Sequence, residues 1–177
     1  MNQPGSPYEA TPPQGYGPPG GFRQHPKEAK TASTLGIVSG ALGIASALLT
    51  LAVNAGLQNE LNKIQGRARP DLFAQAMALV NMTYALAVAM IVAGVILLVG
   101  GIQFRSGKGY TLLRAGAIAQ IVIVAADLLL TFSVSGTLNI APNAGSFLRV
   151  VVGLGLAIAI LTNLSKPETK QWKDSVS

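Results

Sequence analysis

Long apolar runs alternate with short polar breaks along this chain. No charged residue lies between Lys30 and Glu60, and none lies between Asp71 and Arg105. Between Arg114 and Lys166 only Asp127 and Arg149 interrupt the apolar pattern. A bilayer core about 30 Å thick is crossed by roughly 20 apolar helical residues. Four segments meet that length: Ala32–Leu57, Phe73–Ile102, Leu112–Phe132 and Ser146–Leu164. In lipid the backbone must satisfy its own hydrogen bonds, so such spans are helices. The pattern predicts an all-α fold: a four-helix transmembrane bundle over 31–165, with a disordered Pro/Gly-rich N-terminal tail at 1–30 and a basic C-terminal tail at 166–177.

The breaks carry their own signals. Leu57, Leu61 and Ile64 keep helical spacing, so the first helix extends past the membrane. Gly66 ends it, and Pro70–Asp71 opens the next helix. The second span exceeds a minimal crossing, which predicts tilt or an extension outside the membrane. Residues 103–111, QFRSGKGYT, form a tight basic turn, and 135–145, SGTLNIAPNAG, an uncharged polar one. Pro167 stops the last span, after which Trp172 with Lys166, Lys170 and Lys173 suits an interfacial anchor.

The first 30 residues hold seven of the ten prolines and five glycines, too little apolar surface to offset the entropy of ordering. Tyr8, Tyr16 and Phe22 are candidate partner anchors there; the alternative is a solvated linker. This proline-rich stretch has the wrong n-region for a secretory signal.

Charge composition narrows the function. Only 11% of residues are charged, against roughly 25% in a soluble domain. The net charge of +6 raises the question of nucleic acid. The basic residues instead flank the spans, where membrane topology accounts for them. With the N-terminus inside, the cytoplasmic side holds nine cations: Arg23, Lys27, Lys30, Arg105, Lys108, Arg114, Lys166, Lys170 and Lys173. The opposite side holds four, Lys63, Arg67, Arg69 and Arg149. This predicts a multi-pass protein of the cell inner membrane with both termini cytoplasmic, touching membrane lipids and no nucleic acid.

Cysteine is absent and the single histidine, His25, lies in the tail, so no span offers a histidine to haem iron or copper, or a cysteine to an iron–sulfur cluster. No cofactor or metal is expected. Gly107-Lys108 evokes a phosphate loop, but Ile102 occupies the first glycine position and Gly109 the Ser/Thr position. No Ser/His, Cys/His or paired-carboxylate arrangement reaches the membrane interior, so an enzyme is the weakest reading.

Two features remain. The first is small-residue spacing: Gly36 and Gly40 with Gly43 in the first span, Ala85, Ala89 and Ala93 in the second, Gly153 and Ala157 in the fourth. Such spacing lets helix backbones approach in lipid. It serves either packing inside the bundle or association with another chain. The second is Asp127, the only acid well inside a span. Gln120 and Thr131 share its helix face. Arg149, at the start of the fourth span, can snorkel inward to it, and Asn54 and Asn81 can add hydrogen bonds. An intramembrane acid marks a functional site by default. Three roles stay open for Asp127: satisfied by Arg149 and fixing helix register, contacting a larger complex, or handling protons or cations.

The Pro/Gly/Tyr-rich N-terminus, the first-span run LGIVSGALGIASALL and the turn RSGKGYTLLRAG resemble a class of small actinobacterial membrane proteins. Some members of that class look like accessory subunits, among them a proline-rich association factor, of the respiratory supercomplex that joins a cytochrome bc complex to a terminal oxidase. The resemblance implies a non-catalytic accessory subunit or assembly factor of a larger integral membrane protein complex. A cell-envelope lipid-export or wall-synthesis machine is the second candidate partner. The alternative from another class is a small homo-oligomeric channel or transporter that uses Asp127.

Overall fold

A computed structural model describes residues 25–67, 69–138 and 144–176. They form five helices: α1 Lys27–Ile64, α2 Pro70–Phe104, α3 Tyr110–Leu138, α4 Ala144–Ser165 and α5 Pro167–Val176. The first four are long and apolar enough to cross a membrane, so the chain is a multi-pass, all-α, four-span bundle. Each span packs on the next in sequence, and α4 closes the square against α1. Residues 1–24 of the N-terminal tail, with Tyr8, Tyr16 and Phe22, and residues 139–143 of the polar turn at 135–145 lie outside the described residues.

At 1.5 Å per residue α1 is about 57 Å long and exceeds the hydrocarbon thickness. The excess is an exposed α1–α2 hairpin tip, with Leu57, Ile64 and Leu72 in the open. Surface pairs Lys63–Glu60 and Arg69–Asp71 decorate it. Pro70 opens α2 at the first helical position, where its missing N–H costs nothing.

α1 and α2 make the tightest contact. A Cβ at Gly40 would stand 2.5 Å from the Gly94 carbonyl oxygen and 2.8 Å from the Leu98 nitrogen. Only glycine lets the two backbones cross at that separation. Ser33 adds a buried hydrogen bond from its hydroxyl to the Gly101 carbonyl, 2.7 Å. Gly36 and Gly40 are therefore spent inside the bundle, whereas Gly43 is buried but leaves room for a side chain.

The second-span stripe turns out differently. Ala93 is buried, Ala89 is half-buried and Ala85 is exposed. A four-residue step advances about 40° beyond a full turn, so eight residues carry the stripe from the lipid face into the core. The packed face of α2 runs instead through Ala87, Met90, Ala93, Gly94 and Leu97. In α4, Gly153 and Ala157 are buried, whereas Gly155 faces open space.

At both ends of the described residues helix reaches further than the pattern suggests. α1 begins at Lys27, so residues 27–30 belong to the first helix rather than the tail, and Ala29 is fully buried. After Lys166 the chain does not trail away but folds into α5. Thr169 donates its hydroxyl to the Asn163 carbonyl, 2.9 Å, which holds the α4–α5 corner. Trp172 is then not an interfacial anchor. It is buried edge-on against Phe104, ring centroids 5.4 Å apart, and covers the end of the core formed by Leu97, Leu113, Ile160 and Leu164. Between α2 and α3 the backbone reverses through Gly107 and Gly109, both near φ +80°, a region that costs glycine nothing.

Candidate functional site

The intramembrane polar side chains sort into two clusters about 10 Å apart along α3, since Gln120 and Asp127 are two helical turns from each other. The first is centred on Gln120, which is 5% exposed. Ser39 of α1 donates its hydroxyl to Gln120 Oε1 at 2.7 Å. Gln120 Nε2 donates to the Gly153 carbonyl of α4 at 3.3 Å. One amide thus ties three helices together with both of its ends engaged, as a buried polar group requires.

The second cluster holds the acid. Arg149 Nη2 donates to Asp127 Oδ2 at 2.5 Å. Arg149 Nη1 donates to Thr50 Oγ1 at 3.1 Å, and the Thr50 hydroxyl donates to the Ser46 carbonyl at 2.9 Å. The side chains are part-buried, Asp127 17% and Arg149 33% exposed. The snorkelling reach expected of Arg149 is what the geometry uses: its long stem carries the guanidinium from the start of α4 to a carboxylate on α3 and a hydroxyl on α1. The pair borders a space of about 10 Å³ lined by Ala47, Thr50, Thr83, Met90, Asp127 and Arg149. That is about the room of one water, not of an aqueous path.

Comparison with family models, with curated proteins and with solved structures finds no match.

The remaining candidates fall outside these clusters. Thr131 shares the Asp127 face but donates to the Asp127 backbone carbonyl, 2.8 Å, and so does not touch the carboxylate. Asn81 is exposed. Asn54 is buried, and its Nδ2 has no hydrogen-bond partner among the described residues. Among the described residues no three His, Asp or Glu side chains converge as a metal site would require.

Two features escaped the sequence reading. One is Ser39: a serine one helical turn from both Gly36 and Gly43 faces whatever those glycines face, and that spacing is the signal that finds it. The cluster of His25, Trp172 and Phe104 was also missed. Thr169, Trp172 and Val176 recur at helical spacing after Pro167, a short amphipathic pattern that was legible.

A groove opens laterally between α1 and α4, about 270 Å³ in volume. Gly43, Ser46 and Gly153 keep its floor low, with the Ser39–Gln120 pair and Met90 beneath; Leu42, Leu148 and Val152 form an exposed rim. A Cβ at Gly43 would meet nothing closer than 3.9 Å.

Proposed function

We propose that this chain is a non-catalytic accessory subunit or assembly factor of a larger inner-membrane complex, with both termini cytoplasmic. The observation that supports this reading is the α1–α4 groove. Helix association in lipid rests on close packing at small residues rather than on a hydrophobic driving force. Gly43 and Gly153 leave a seat for a bulky apolar side chain of a partner's transmembrane helix, and the leucine and valine rim would pack around it. The cytochrome bc–terminal oxidase supercomplex is the first candidate partner, on the resemblance of the first span and the basic turn.

The channel or transporter alternative has less behind it. Transporters use several polar residues along a path and broken helices near the midplane. Here the Asp127 carboxylate is held by Arg149, beside a space of about one water.

The test is purification of the tagged full-length chain from native membranes in gentle detergent, with mass spectrometry and a visible absorption spectrum. Oxidase subunits and haem bands in the eluate are expected. Gly43→Leu should fill the groove, abolish co-purification and leave the bundle folded. A chain that elutes alone from native membranes refutes the accessory reading.

A further inference from the structure

A second cavity, about 310 Å³, lies at the end of the bundle that carries both described termini. That is the lower end of the range for small-ligand pockets, ~300–1,000 Å³. Among the described residues its lining is His25, Lys30, Thr34 and Arg105: three nitrogen bases or cations and one hydroxyl, with no carboxylate. Lys30 and Arg105 thus bring two positive charges to one cavity, where an anion would be attracted by both.

No such anion is supplied from within the described residues. Lys30 and Arg105 form no ion pair there. Two carboxylates of this end, Glu28 and Asp174, are engaged by Lys166 and Lys173. The third, Glu168, is exposed on α5. His25 is held at two points. Its Nε2 hydrogen-bonds the Arg105 carbonyl at 2.5 Å and its ring packs 4.0 Å from that of Trp172. Its Nδ1 is buried without a hydrogen-bond partner among the described residues; with Nε2 donating, the Nδ1 of a neutral ring accepts, and a headgroup hydroxyl can donate to it.

We propose that this pocket binds the phosphate of an anionic phospholipid and holds one lipid against the outer α1–α2 face. Two facts select a lipid over a free anion. Arg105 immediately follows the last residue of α2 and Lys30 lies one turn into α1, so the cations sit where the spans leave the hydrocarbon. The stripes that continue from them are apolar and open: Val38 lies two four-residue steps beyond Lys30, and Ile102 three residues before Arg105, at 42% and 53% exposure. A phosphate in the pocket thus leaves its acyl chains beside an exposed apolar track. Thr34, between Lys30 and Val38, is a hydroxyl donor for a phosphate or glycerol oxygen.

The test uses the full-length, delipidated protein in detergent, titrated with dioleoylphosphatidylglycerol or dioleoylphosphatidylcholine and read by native mass spectrometry. One phosphatidylglycerol is expected to stay bound under activation that strips phosphatidylcholine. Lys30→Gln and Arg105→Gln should each weaken that binding about five-fold, and the double variant about 25-fold, as expected per cation at a membrane surface. Lys108→Gln, on the neighbouring turn but outside the pocket, should change little. The charge-conserving pair Lys30→Arg with Arg105→Lys should retain the lipid, which separates lost charge from lost fold. Equal retention of both lipids, or a double glutamine variant that binds as the native chain does, overturns the proposal. So does full competition by millimolar inorganic phosphate, which would make the pocket a free-anion site, or lipid loss in the charge-conserving pair.

Discussion

Removing either member of the Asp127–Arg149 pair should destabilise the bundle, and by unequal amounts. An exposed ion pair contributes about 0.2–1 kcal/mol. Loss of one partner from a buried pair costs roughly 3–5 kcal/mol, mostly through the charge left behind. With Asp127 17% and Arg149 33% exposed, this pair stands between those limits. Arg149→Met strands a carboxylate on a single methylene, which cannot carry it to the headgroups. A cost of about 3 kcal/mol is expected. Asp127→Leu strands a guanidinium on a long stem that can swing outward from its position near the start of α4 and keep Thr50 as a partner. About 1 kcal/mol is expected. The double variant leaves no orphan charge and should lie within about 1 kcal/mol of the native chain, giving a coupling energy of about 3 kcal/mol. The assay is SDS-driven unfolding in mixed micelles, followed by the fluorescence of Trp172, the only tryptophan. Trp172 sits at the opposite end of the bundle, so its signal reports unfolding rather than a local change. Equal, small effects of the single variants, or a double variant whose loss is their sum, would refute a coupled structural pair.

Three further outcomes follow from the packing. Gly40→Ala pushes a methyl into the Gly94 carbonyl and the Leu98 nitrogen and should cost about 1–3 kcal/mol; Gly155→Ala, which meets nothing, should be neutral or stabilise by up to about 1 kcal/mol in the same micelle titration. Gln120→Leu leaves the Ser39 hydroxyl and the Gly153 carbonyl without their partner, at about 1–3 kcal/mol, and adding Ser39→Ala should recover part of that loss. Trp172→Ala uncovers Phe104 and removes the ring that packs on His25, so a circular-dichroism melt should show a loss of about 3 kcal/mol. Deuterium uptake should rise in the Arg105–Gly109 turn of the same variant.

Most of the architecture was legible in the residues, because a bilayer imposes one rule on every span. Twenty or so apolar residues without charge must be a helix, and Gly66, Pro70 and the RSGKG turn mark where each helix gives way. The meeting of Arg149 with Asp127 was legible for a similar reason: an acid in lipid needs a partner, and one long cation was within reach. What the residues could not fix was rotation about each helix axis. Ala85, Ala89 and Ala93 repeat as regularly as Gly36 and Gly40, yet only Ala93 is buried, because a four-residue step drifts around a 3.6-residue helix and lipid penalises neither face. A soluble helix announces its buried side by where its polar residues stop; a helix in lipid is apolar all round. So the sequence alone determined the four spans and their polar anchors. Only the tertiary structure decided which stripe packs, that Gln120 bridges α1 and α4, and that α5 folds back to cover Phe104, since each depends on contacts between segments distant in the chain.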